Sequence, residues 1–132
     1  MSAWPNVYDS PVTANTTITT TTETVAATLS GVNAPGPGAT IKLTGFVQVT
    51  AGTGTTAITV TIREGTDATG TIVGEANAIA GGVTAGSTSS LDLVVTDVPA
   101  GELANQSYVV TVKQTGASGN GTILLATLRA VV

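Results

Sequence analysis

The chain of 132 residues contains neither cysteine nor histidine. That double absence excludes disulfide staples, thiol nucleophiles, imidazole general bases, Ser-His-Asp triads and zinc sites built from His or Cys. Charge is scarce as well: four Lys or Arg and eight Asp or Glu make up 9% of the chain, against roughly 25% in ordinary soluble domains. The cations Lys42, Arg63, Lys113 and Arg129 stand far apart, and the net charge is −4. No basic patch is available to neutralise a phosphate backbone, so nucleic acid is not an expected partner. Long hydrophobic runs are missing too. Stretches such as residues 123–126 fall far below the ~20 apolar residues that cross a bilayer, and no membrane partner is expected. Met1-Ser2-Ala3-Trp4-Pro5-Asn6 shows no basic segment followed by an apolar one, so the expectation is synthesis in a cytoplasm without a secretory signal.

What the chain does have is 27 Thr and 16 Gly among short runs of Val, Ile and Leu, the pattern of an all-β domain punctuated by turns. Residues 1–15, broken by Pro5, Asn6, Asp9 and Pro11, read as an extended N-terminal arm; residues 16–132 read as one β domain. Side chains on a strand alternate between faces, and by that criterion strands are expected over residues 19–29, 41–50, 56–64, 71–80, 91–96, 108–113 and 122–132. In 41–50, Ile41, Leu43, Gly45, Val47 and Val49 share one face, leaving Phe46 as an apolar oddity on the other. In 56–64, Ile58, Val60 and Ile62 point inward. Residues 71–80, with Gly74 and three alanines, have little to bury and suit an edge. The last strand is apolar on both faces, with Ile123, Leu125 and Val131 on one and Leu124, Leu128 and Val132 on the other. Gly52-Thr-Gly54 and the 116–121 loop ending in Asn-Gly read as hairpin turns. Some seven strands in this length give an antiparallel β-sandwich, jelly-roll-like, with an extended arm.

The apolar groups on both faces of the final strand, together with Phe46, Val94 and Val109, need cover. Either the N-terminal arm supplies it or other copies of the chain do. With only four aromatics, the core lacks the large burial that rings provide, and burying aliphatic area between copies, at about 25 cal/mol per Å², offsets that loss. Trp4 and Tyr8 lie in the first eight residues, either as anchors of a docking arm or folded back to plug one end of the barrel. Trp4, Val7, Tyr8, Phe46, Leu124, Leu128 and Val132 are therefore the candidate partner-binding residues.

Catalysis finds little support. Two carboxylates suffice for glycoside hydrolysis, but the eight acids Asp9, Glu23, Glu64, Asp67, Glu75, Asp92, Asp97 and Glu102 form no catalytic motif, and no enzyme is expected. The acidic stretches 64–67 and 97–102 lack EF-hand spacing and read as solvated turns rather than calcium loops. The glycines lack the Lys and following helix of a phosphate cradle. The sequons at Asn15, Asn105 and Asn120 are chance matches in a chain this rich in Thr and Ser. No metal and no cofactor is expected.

Residues 41–50 (IKLTGFVQVT), then GTTAITVTIREGT and GTIVGE, together with YVVTVKQTG and TILLATLRA near the end, resemble the small Thr/Gly-rich β-proteins of tailed-phage virions. The last two segments are also similar to the closing strands of trimeric jelly rolls of the tumour-necrosis-factor or C1q type. The resemblance covers about residues 40–132, rests on pattern rather than a diagnostic motif, and offers no signature residues. It implies a homotrimer seated on the major capsid protein of a bacteriophage head: a capsid decoration or minor capsid protein, located in the virion, that stabilises the shell without catalysis. The alternative is a carbohydrate- or surface-binding β-sandwich module of a fibre or adhesin.

Overall fold

Each strand in the first half of the domain pairs antiparallel with its mirror in the second. The computed structural model describes residues 7–34, 38–80, 88–98 and 104–132, with the side chains of 78–80 left aside. Nine strands are found there: β1 (Val7–Asp9), β2 (Thr13–Ile18), β3 (Thr24–Val32), β4 (Ile41–Thr50), β5 (Ala57–Glu64), β6 (Ile72–Ala80), β7 (Thr88–Asp97), β8 (Gln106–Thr115) and β9 (Gly121–Val131). β2 pairs with β9, β3 with β8, β4 with β7 and β5 with β6. The chain is thus one long two-stranded ribbon, folded at the β5–β6 turn and wound on itself. Winding adds the β4–β9 and β5–β8 pairs. The result is two packed sheets, β1/β2-β9-β4-β7 and β3-β8-β5-β6, a jelly-roll-like sandwich.

Alternation places the core as the sequence pattern expects. Ile41, Leu43, Val47 and Val49 of β4 meet Ile58, Val60 and Ile62 of β5 and Val110 and Val112 of β8, all at most 1% exposed. Gly45 completes the β4 row because an added Cβ would sit 3.3 Å from both Ile62 Cδ1 and Val110 Cγ2. β6 lies at the edge of its sheet, where the two sheets approach closely: a Cβ on Gly74 would lie 2.0 Å from Val95 Cγ1 of β7.

Three expectations are corrected. Residues 7–15 are extended but belong to the first sheet, since β1 and β2 line the free edge of β9. The 52–54 and 116–121 segments are not hairpin turns. Each carries the chain from one sheet to the other, and the two loops bond together, with the Ser118 and Gly119 N–H groups donating to Thr53 O at 2.8 and 3.2 Å. Glycine and asparagine chemistry reports a reversal of direction, not whether the flanking strands share a sheet. Finally, the two faces of β9 are divided differently. Gln48 pairs with Leu125 but Val49 with Ile123, so Leu124 is an extra residue, a β-bulge that resets the alternation. Ile123, Ala126, Leu128 and Ala130 consequently face the core, each 0% exposed, while Leu125 and Val131 face outward.

Candidate functional site

The outer face of the first sheet carries the feature best suited to a ligand or partner. Opposed residues of an antiparallel pair share a face, so the register lines up Asp92, Phe46 and Thr127 in one row and Val94, Thr44, Arg129 and Asp9 in the next. Beside these rows the edge strand breaks. Pro11 cannot donate to a ladder, and between β1 and β2 the register slips by one residue, Asp9 pairing with Arg129 but Thr13 with Ala126. Ser10 repairs the break: its N–H donates to Leu128 O at 2.8 Å, and Leu128 N–H donates to Ser10 Oγ at 2.9 Å. The hydroxyl thereby replaces a strand carbonyl. The notch is a groove of about 530 Å³ walled by Asp9, Ser10 and Val12. Its floor is Thr44, Phe46, Thr127 and Arg129.

Arg129 grips Asp9 in the groove with two bonds, Nε to Oδ1 at 2.6 Å and Nη2 to Oδ2 at 3.2 Å. The Arg129 hydrogen bonds hold the Asp9 carboxyl below the usual aspartate range. Both side chains remain more than half exposed, at 58% and 55%, and an ion pair so placed adds little stability.

The proposed contact residues divide between the two sides of this sheet. Val7 is 54% exposed and Phe46 is half-buried in the groove. Tyr8, opposite the core residue Ala130, packs inward, as does Val132. Leu128 is fully buried; the bulge turned it to the core, so its side chain offers nothing to a partner. Leu124 is half-buried at the bulge. Trp4 lies outside the described residues. Sequence reasoning left out Val12 and Val131 on this face, and did not count Val94 and Leu125 among the contacts. Val12 and Val94 are 63% and 55% exposed.

Other polar clusters are structural. Arg63 binds Glu23 through Nε at 2.8 Å and Nη2 at 3.0 Å and donates Nη1 to Gly70 O at 2.8 Å, while the Thr111 hydroxyl donates to Glu23 at 2.5 Å. Burial pushes the Glu23 carboxyl up, but the Arg63 and Thr111 bonds outweigh it and leave it below the usual glutamate range. The Tyr108 hydroxyl donates to Asp97 Oδ2 at 2.7 Å. Glu64 meets the same Asp97; that hydrogen bond, then burial, then charge repulsion hold Glu64 above its ordinary range, as in two carboxyls sharing a proton. Asp67 accepts from the Thr69 N–H and hydroxyl within its own turn. Among the described residues, no three acids gather as metal ligands.

No protein-family model and no curated protein matches the chain. Solved structures do match in fold. The structure of infectious bursal disease virus Gx strain aligns with a TM-score of 0.62 at 13% identity, over 99% of this chain and 32% of that one. The infectious bursal disease virus VP2 subviral particle aligns with a TM-score of 0.62 at 12% identity, over 99% and 33%. A Bacillus endospore appendage pilus subunit aligns with a TM-score of 0.44 at 18% identity, over 100% and 94%. The chain spans about a third of the length of the viral chains it matches. At these identities the likeness concerns architecture: this is an all-β, jelly-roll-like sandwich of the kind seen in viral capsid structures.

Proposed function

We propose that the chain is a non-enzymatic structural protein of a virion, a capsid decoration protein that associates with copies of itself, as a trimer, and with the major capsid protein. The observation that carries this reading is the wound-ribbon jelly roll, superimposable along nearly its whole length on part of the infectious bursal disease virus capsid chains. Two further features support it. The outer face of the first sheet presents Val7 and Val94, each more than half exposed, beside half-buried Leu125 and Val131, a hydrocarbon surface suited to burial against another protein. The polar clusters, in turn, are spent on holding strands and loops together. The mechanism is cementing: a rigid β body bridges neighbouring capsomers, and the area buried on docking opposes their separation.

Size-exclusion chromatography with light scattering, followed by co-sedimentation with purified capsids, tests the proposal. A discrete oligomer that pellets with particles is the expected result. A protein that stays monomeric at every concentration and never pellets overturns it.

A further inference from the structure

The groove over Phe46 has a chemistry that cementing does not use, and the geometry points to a binding site for a neutral pyranose sugar. A pyranose has two kinds of surface, a face of C–H groups and a rim of vicinal hydroxyls. The groove opposes each with its counterpart. Phe46, half-buried in the floor, supplies an aromatic ring for the C–H side. Thr44 and Thr127, its neighbours across and along the strands, supply hydroxyls that both donate and accept. Asp9 in the wall and Arg129 in the floor form the charged side: the carboxylate accepts from adjacent hydroxyls, and the guanidinium has five N–H donors, of which Asp9 takes two. A volume of about 530 Å³ lies within the range of small-molecule sites.

Charge selects the neutral class. Arg129 is already compensated by Asp9 at 2.6 Å, and the whole chain carries −4, so among the residues that line the groove an acidic sugar finds no uncompensated cation. An extended peptide is disfavoured by the wall itself. Strand addition needs open ladder groups, but Pro11 has no N–H, and Ser10 has committed its N–H and hydroxyl to Leu128. The exposed ion pair, which adds little to stability, has its use here in recognition.

Sugar binding is independent of assembly and is tested on the purified full chain. Methyl pyranosides of glucose, galactose, mannose and N-acetylglucosamine are titrated into labelled protein while backbone amide resonances are followed. At least one is expected to give saturable shifts at Asp9, Thr44, Phe46, Thr127 and Arg129, with a Kd of about 1 mM, as suits a single-ring, solvent-open contact. Phe46→Ala should weaken it at least tenfold. Phe46→Leu keeps the hydrocarbon bulk that supports folding but removes the flat ring, and should weaken it similarly with an unchanged melting temperature. The inference is overturned if none of the four sugars gives saturable shifts, if binding survives both Phe46 substitutions, or if N-acetylneuraminic acid binds in preference to all four.

Discussion

Gln114 is 0% exposed and joins three loops at one end of the sandwich. Its Oε1 accepts from Gly52 N–H at 2.7 Å and from the Thr55 hydroxyl at 3.2 Å; its Nε2 donates to Thr20 O at 2.8 Å and Gly119 O at 3.3 Å. Thr20 sits at φ 35°, a conformation that β-branched residues rarely adopt, and is held there from both sides, since Asn120 Oδ1 also accepts its N–H. Replacing Gln114 with Leu keeps the volume but strands these groups. The expected loss is at least about 3 kcal/mol in urea unfolding, because each buried orphan costs about 1–3 kcal/mol. Ser10→Ala, which orphans Leu128 N–H, is expected to cost about 1–3 kcal/mol by the same measurement. Glu64 behaves oppositely to Glu23 with pH. A raised carboxyl favours the fold below its unfolded value and loses that contribution as pH rises through the folded value, whereas the lowered Glu23 contributes above its unfolded value and loses it as pH falls. Glu64→Gln donates to Asp97 without needing a proton. It should raise the melting temperature near neutral pH and make little difference in acid, where Glu64 is already protonated. Alternation alone puts Gln114 on the same side as Val110 and Val112. Its partners, however, lie in loops far apart in sequence, and nothing local to residue 114 reveals them.

At the level of strands, legibility tracked the regularity of the pleat. Residues 41–50 alternate without interruption and form β4 with those bounds; β5 and β6 begin one residue later than their patterns suggest. β1 and β2 were hidden because Pro11 and its neighbours read as breakers, and a serine hydroxyl mends the ladder in a way that no strand propensity records. β3 starts at Thr24 rather than residue 19 because the threonine run bends at Thr20. The groove was equally hidden. Phe46 stood out as an outward ring, but Asp9 and Arg129 reach it only through pairing between the two ends of the chain. The contact between β6 and β7 gives a sharp test. Gly74→Ala drives a Cβ into the stiff Val95 side chain and should destabilise by about 1–3 kcal/mol. Val95→Ala in the same molecule should recover much of that loss, read as a coupling energy in a double-mutant cycle.

For the molecule as a whole, the two sides of the first sheet have separate tasks. The inner side is an aliphatic core in which Tyr108 is the one fully buried ring among the described residues; the outer side combines exposed valines with the groove. Val94→Asp probes the outer side alone. At 55% exposure the substitution should change folding stability by no more than about 0.5 kcal/mol, yet light scattering should show the oligomer dissociating. A variant that assembles normally places the contact elsewhere.

The doubled ribbon also dictates an order of events. Its bend at residues 65–71 joins partners close in sequence, whereas the pairing of Thr13 with Ala126 joins the two extremities, so loop entropy favours zipping from the bend and closing the ends last. Amide protons of β2 should then exchange sooner than those of β5, and any binder that clasps the Asp9–Arg129 junction would act as a lock on the seam that opens first.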